Sequence, residues 1–472
     1  MTSEQRRITL GVCLIVGISL LMVAGLTFLI EPMADDLKFS DALVVDILAV
    51  PSVAALIAVF AAGQLGIRFG HRRVIAFCAA SFSLGAGVLA IAGSALTVEI
   101  GLAICAGAAI TMQIVGVGLL QHSTGQGKAQ TSAFTTYGMV FPLAFLVFPV
   151  GTAGVLELTS WRLVPVLWIV GGLLMLAIAF YFLDGNTTAA HDQDWTAPIL
   201  AGITLAALAR ALAEVGQVET DPVTVISGFV VGGVVALLFV TTMRRKMTLY
   251  SFFNPIRGGM LRVLLLCVAL VSLVGLVTFV SIALEFFYEM TPYEAAIAII
   301  PAQIGAVLGA KVLASHMIHR FGGIRAARHL MLTLAVSMLP LLMVTSQTSI
   351  LILIAIAAIF SFAGMAALTV LNTQVMRLAP ADCAGPVSAF RTAASSVGAA
   401  LGVGILGAIV MSSVHIDEGV SGVSGAQIEH LASSLRIDGV IACLIAIVGW
   451  IALSIAERKA TKIQAAMVTV GD

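Results

Sequence analysis

Charge is what this chain has least of. Among 472 residues, Lys and Arg total 24 and Asp and Glu total 24, so charged residues make up 10% of the chain while 60% is hydrophobic. A soluble domain of this size needs a polar shell that such a composition does not supply. With a mean hydropathy of +1.10, most of the surface must meet lipid. The two signs cancel, so nothing in the charge balance calls for nucleic acid. Cysteines are few and isolated: Cys13, Cys78, Cys105, Cys267, Cys383 and Cys443 fall in or beside apolar runs. They read as small packing residues rather than a disulfide or metal framework. No glycine-rich loop ends in Lys-Ser or Lys-Thr, which excludes direct ATP use. His71, His122, His316, His319, His415 and His430 show neither metal-cage nor triad spacing. No stretch is long and polar enough for a soluble catalytic module, so the chain does not read as an enzyme, and no cofactor is expected.

What is present is a series of apolar runs, each about 20 residues, the length that crosses a bilayer as a helix. They fall near 8–30, 42–64, 74–94, 99–120, 132–155, 164–183, 196–216, 222–242, 261–287, 293–316, 327–345, 349–376, 388–412 and 435–456. None alternates in polarity as a spanning strand would. The first run is too long for a cleaved signal segment and reads as a span. The expectation is therefore an all-α polytopic membrane protein with fourteen transmembrane helices.

Basic residues orient it. On one side lie Arg6, Arg7, Arg68, Arg72, Arg73, Lys128, Arg244, Arg245, Lys246, Arg257, Arg262, Arg320, Arg325, Arg328, Arg377, Arg458, Lys459 and Lys462; on the other only Lys38, Arg162 and Arg436. Eighteen against three on alternating loops predicts both termini in the cytoplasm. The loop from Asp184 to Asp194 lies on the cytoplasmic side without a Lys or Arg. The setting is a multi-pass protein of the plasma membrane, such as a bacterial inner membrane, acting as a monomer.

The basic turn Gly63-Gln64-Leu65-Gly66-Ile67-Arg68-Phe69-Gly70-His71-Arg72-Arg73 returns in weaker form at Ser315 to Arg325. Arg-Phe-Gly recurs 252 residues on (320 minus 68). Such an offset fits two six-helix bundles, residues 1–190 and 251–472, separated by two additional helices in 191–250.

These features resemble the major facilitator superfamily, and most of all its fourteen-helix drug/proton antiporter branch. Gly63, Leu65, Arg68 and Gly70 match the superfamily loop signature. Ser160-Trp161-Arg162 matches at the sixth span, Thr291-Pro292 through Ala295, Ile300 and Pro301 at the tenth, and Ser388 through Gly398 with Leu401, Gly402 and Val403 at the thirteenth. The resemblance implies two bundles rocking about a midplane site, with the extra helices peripheral. Several coupling motifs are degraded. Ile67 stands where the signature has aspartate, Val23 where the branch has an acidic residue, and the fourth span, Ile100 to Leu120, lacks its arginine. The fifth span keeps only the proline of its motif, in Phe148-Pro149-Val150-Gly151-Thr152-Ala153.

Ionisable residues within spans cost at least about 2.5 kcal/mol near the centre and so mark candidate sites. Glu285 and Glu289, one turn apart near the outer end of the ninth span, suit a proton acceptor or cation site, or a solvated headgroup zone. Lys311 either snorkels toward the cytoplasm or faces the cavity and binds an anionic group. Arg391 opens the thirteenth span, one turn before the branch's usual arginine position, now Ser395. Asp46, followed by Pro51, either protonates during transport or marks a hydrated helix end. Arg210 and Glu214, four apart, read as a structural ion pair. Gly63, Arg68, Gly70, Arg72, Arg73 and Arg320 form the expected gating turns, Arg68 bonding helix-end carbonyls or a neighbouring carboxylate.

The leading expectation is a secondary transporter that moves a lipophilic or amphipathic small molecule outward in exchange for protons, with the proton gradient as its energy source. Two rivals remain: uptake or facilitated movement of an organic anion or metabolite, and a membrane sensor or scaffold that transports nothing. A continuous polar path through Glu285, Lys311 and Arg391 favours transport; a plugged cavity favours the scaffold.

Overall fold

A computed structural model describes residues 1–125, 127–183, 195–215, 222–246, 252–274, 284, 288, 290, 294, 297–345, 347–380, 383–402, 405–406, 409 and 425–470. The described residues form helices in the expected runs. They are α1 (Ser3–Ser19), α2 (Leu21–Leu37), α3 (Asp41–Phe69), α4 (His71–Ala90), α5 (Ala95–Thr124), α6 (Lys128–Gly138), α7 (Val140–Leu158) and α8 (Leu163–Phe182). Next come α9 (Thr196–Val215), α10 (Pro222–Arg245), α11 (Gly259–Leu273), α12 (Ile300–Leu308) and α13 (Ala314–Phe321). The series ends with α14 (Gly323–Ser337), α15 (Ile350–Arg377), α16 (Ala384–Gly402) and α17 (Gly425–Val470). Among the described residues, ten spans are long and apolar enough to cross a bilayer, and Thr196–Leu212 and Gly259–Leu273 are shorter apolar helices.

Local chemistry sets several ends. Thr2 caps α1 through a reciprocal box with Gln5, and Ser94 does the same for α5 with Thr97, each satisfying backbone donors that a helix start leaves open. Two expected single runs are broken. The first splits at Leu20, whose N–H turns back to Gly17 at 3.1 Å, and the fifth splits at Met139, whose N–H reaches Thr136 at 3.2 Å. The second break follows Gly138, the last residue of α6; the first has neither proline nor glycine at its joint, so periodicity alone does not show it. In the tenth run a π turn, Gly309–Leu313, joins α12 to α13.

Helices α1 to α8 pack on one another, as do α11 to α17, and one apolar cluster runs through both groups. Across the middle, α16 lies against α3 and α5, α12 against α7, and α15 against α6. The two additional helices pair with each other, and α9 packs on both α3 and α16. They therefore sit over a seam between the halves rather than at the periphery, held where Gly202 of α9 presses on the Ile57 carbonyl of α3.

Candidate functional site

The basic turn explains its own glycines. Gly70 ends α3 and begins α4 with φ 87°, a left-handed value that glycine tolerates without strain. Gly322 does the same between α13 and α14 with φ 79°, so the internal repeat is a repeat of geometry. Gly63 serves a different purpose: a Cβ there would come within 2.9 Å of both the Gly385 carbonyl oxygen and the Ala389 Cβ on α16. The halves thus touch backbone to backbone at this end. The arginines take varied partners. Arg68 lies over the rings of Phe69 and Trp195, at 5.3 and 5.5 Å, and among the described residues it meets no carboxylate. Arg72 donates to the Phe180 carbonyl at 3.3 Å and covers its ring, while Arg320 lies over Phe321. In the second copy a carboxylate does appear: Arg325 and Arg328 hold Glu457 of α17 at 2.9 and 2.7 Å. Arg73 lines a groove of about 640 Å³ on α3, α4 and α5, with Phe69 and Phe77.

Between the halves the side chains are polar and under-satisfied. Arg391 on α16 is 9% exposed; its Nη2 donates to Thr392 Oγ1 at 3.2 Å, while its Nε has no partner among the described residues. Tyr137 on α6 is 4% exposed and turns its hydroxyl toward the Arg391 guanidinium, within hydrogen-bonding and electrostatic reach of it and within electrostatic reach of Cys13 on α1, though without a hydrogen bond of normal geometry among the described residues. Lys311, on the π turn, reaches Cys13 electrostatically from the other half. Thr369 and Asn372 on α15, Ser388 on α16 and Gln64 on α3 also carry buried polar atoms without partners among the described residues. Thr369 stands against Gly138, where a Cβ would meet its Cγ2 at 2.9 Å. Buried polar groups are nearly always paired in native proteins, so a row of exceptions marks a place where something else binds. Phe390, next to Arg391 in sequence, belongs to an aromatic cluster: it meets Phe60 of α3 edge-on at 5.2 Å and Phe252 at 5.5 Å, and Phe252 meets Phe239 of α10 at 5.4 Å.

The other candidates lie elsewhere. Asp46 is exposed and bonded at 2.8 Å to Arg210 of α9, which also holds Glu214, so this triad staples an additional helix to α3. Glu285 and Glu289 lie outside the described residues. Near the far end of the bundle, Asp36 accepts from the Trp161 indole at 3.0 Å and from Arg162 at 2.5 Å. First the indole hydrogen bond and then the guanidinium hold its carboxyl below the usual range. Sequence reasoning missed Tyr137, one of only five tyrosines, and Asp438, fully buried on α17 with both oxygens unpartnered among the described residues. The rule that singled out Lys311, an ionisable group inside an apolar run, also finds Asp438.

A helical membrane protein built from a repeated turn, whose halves meet over a buried polar row, has the build of a solute transporter. Residues 12–403 match the Major Facilitator Superfamily, and the chain belongs to that family, whose members are transporters and not enzymes. It is 24% identical over 393 residues to the tetracenomycin C resistance and export protein of Streptomyces glaucescens, covering 77% of this chain and 68% of that one. It is 21% identical over 367 residues to the multidrug resistance protein Stp of Mycobacterium tuberculosis, covering 76% and 67%. A methyl viologen resistance protein of Salmonella typhimurium matches at 26% over 168 residues, only 34% of that protein's length. The fold is shared with the human organic anion transporter MFSD10, at TM-score 0.65 and 15% identity over 96% of this chain and 100% of that chain. It is shared also with the proton:xylose symporter XylE, at TM-score 0.62 and 14% identity over 95% and 94%.

Proposed function

We propose that this chain exports a lipophilic or amphipathic small molecule across the plasma membrane by alternating access, driven by exchange for protons. On this reading it crosses the bilayer fourteen times with both termini cytoplasmic. Residues 1–190 and 251–472 form the two moving bundles, residues 191–250 add two helices, and a monomer suffices with no bound cofactor. The observation that carries the reading is the pairing of a backbone-close seam at Gly63 and Gly385 with a buried polar row beyond it. A seam of that kind can close one end while the row holds cargo. The resistance and export roles of distant relatives support the outward direction.

The test uses purified full-length protein in vesicles with an imposed pH gradient and two fluorescent probes, ethidium as a lipophilic cation and 1-pyrenebutyrate as an amphipathic anion. Gradient-dependent movement of a probe, with matching partial collapse of the gradient, is expected. Movement that ignores the gradient overturns the proton coupling, and no movement of either probe overturns export of such molecules. Glu285→Gln, placed in the ninth span, is expected to lower the coupled flux.

A further inference from the structure

The Arg391 guanidinium is nine-tenths buried and has no counter-ion among the described residues. A cation without an anion is expensive inside a membrane protein, and it is retained where it serves a ligand or a path. The carboxylates that form described ion pairs are all engaged elsewhere: Asp36 with Arg162, Asp46 and Glu214 with Arg210, and Glu457 with Arg325 and Arg328. On α3, α5, α9, α11, α15 and the 3-10 turn Asn254–Ile256, which pack against α16, no described carboxylate bonds to Arg391. What surrounds it has the opposite tendency. Tyr137 offers a phenolic donor from the first half, and Lys311 adds a second positive charge beyond Cys13.

Depth agrees with cargo binding. Arg391 lies six residues beyond Gly385 (391 minus 385), about 9 Å along its helix from the backbone seam. Tyr137 stands nine residues into α6 and Lys311 ten before the end of α13, about 14 and 15 Å from those helix ends. All three therefore lie well inside their helices, away from the ends that carry the basic turns. Lys311 sits on a π turn, an irregularity that widens a helix locally and recurs at functional sites.

We infer that Arg391, Tyr137 and Lys311 form a receptor for one negatively charged group on the cargo, a carboxylate or phenolate carried by an apolar, aromatic-sized body. The guanidinium Nε and the phenol supply two hydrogen bonds to the anion, drawn from opposite halves of the protein. Cargo binding thereby ties the two halves to one ligand. Lys311, the exposed member, raises the local concentration of anions ahead of binding. This assignment rests on the reading of the chain as a transporter and narrows its substrate class.

The experiment measures equilibrium binding to purified full-length protein in nanodiscs, using fluorescence of 1-pyrenebutyrate and of its neutral counterpart, 1-pyrenebutanol. The acid is expected to bind at least about tenfold tighter than the alcohol, the size of a charge-assisted hydrogen bond. Arg391→Gln is expected to erase that preference by weakening acid binding far more than alcohol binding, Arg391→Lys to restore part of it, and Tyr137→Phe to weaken it without loss of the thermal transition that reports folding. Equal binding of acid and alcohol, or a preference that survives Arg391→Gln, overturns the inference. So does displacement of all acid binding by physiological chloride, which makes an inorganic anion the occupant. Vesicle flux separates the two readings: gradient-driven movement of ethidium alone keeps the transporter and discards the anion receptor. Selective acid binding without any flux keeps the receptor and discards the proposed export.

Discussion

A Cβ placed on Gly385 of α16 would overlap the carbonyl oxygen of Gly63 on α3. The two glycines let the first and second halves of the protein meet backbone to backbone at the end that carries the basic turn. Close backbone approach of this kind is how small residues drive helix contact in a bilayer, where lipid tails remove the hydrophobic advantage of larger side chains. The contact forms without a side chain to rearrange, so it can be made and broken as a unit.

Gly385→Ala therefore disturbs a contact between halves and not a core within one. The obstructing atoms are backbone, which cannot rotate aside, and overpacking of this sort costs about 1 to 3 kcal/mol. The closed seam is expected to lose population, so a cysteine introduced at Ser388 becomes more reactive toward a water-soluble maleimide added from the basic face. Gly63→Ala has the same direction and a smaller effect, because its nearest neighbours stand at 2.9 Å. Unchanged labelling in both variants removes the seam from the gating scheme.

The second copy of the turn holds its arginines differently, and salt separates the two. Arg325 is 68% exposed and Glu457 18%, so solvent screens most of the attraction. Glu457→Gln is expected to lower thermal stability in detergent by less than about 1 kcal/mol. The difference shrinks as salt rises, because ions screen exposed pairs. At Arg68, which rests on Phe69 and Trp195, Trp195→Ala should lower stability with little dependence on salt.

At the opposite end, Asp36 ties α2 to the start of α8 through Trp161 and Arg162. Its carboxyl is held below the usual range, first by the indole hydrogen bond and then by the arginine. The sign follows from linkage: the clamp contributes fully above the ordinary carboxylate pKa of about 4 and is lost as pH falls through the depressed folded value. An acid titration of the melting temperature should fall less steeply below pH 4 in Asp36→Asn than in the native chain. Parallel curves exclude a role for this carboxyl in acid stability.

How much of this was readable from residues alone differs by kind of feature. Helix placement was legible, since a run of about 20 apolar residues admits little else in lipid. The paired turns at Arg68-Phe69-Gly70 and Arg320-Phe321-Gly322 were legible because positive φ demands glycine in both. The break at Leu20 was not, because nothing in its own composition differs from its neighbours. Asp46 looked like a possible proton site because its partner Arg210 lies 164 residues away, and local spacing cannot show that. The additional helices were recognisable as apolar, but their seat over α3 and α16 depends on contacts such as Gly202 with Ile57. Tyr137 was missed because one tyrosine in a run of Thr and Ser does not reveal which face turns inward. The meeting of Gly63 with Gly385 is a relation between halves, and one-dimensional periodicity carries none.

Asp438 presents the sharpest conflict between stability and retention. It is 0% exposed on α17, and both oxygens lack partners among the described residues. A buried polar group without a partner costs about 1 to 3 kcal/mol in protein interiors, so Asp438→Val, close in volume and apolar, is expected to raise the thermal midpoint in detergent. A fall in the midpoint shows that the carboxyl is engaged, and the conflict dissolves. Intramembrane acids kept at such a cost mark substrate or ion pathways and proton relays. Asp438→Asn, nearly equal in shape but unable to ionise, should therefore reduce pH-gradient-driven flux by more than about tenfold, the loss expected when an obligatory proton carrier is removed. Exchange of labelled for unlabelled cargo without a gradient should continue, because it asks nothing of the proton. Flux and exchange that fall together would mean that the substitution damages the whole cycle, and flux that persists would leave Asp438 as a packing residue only.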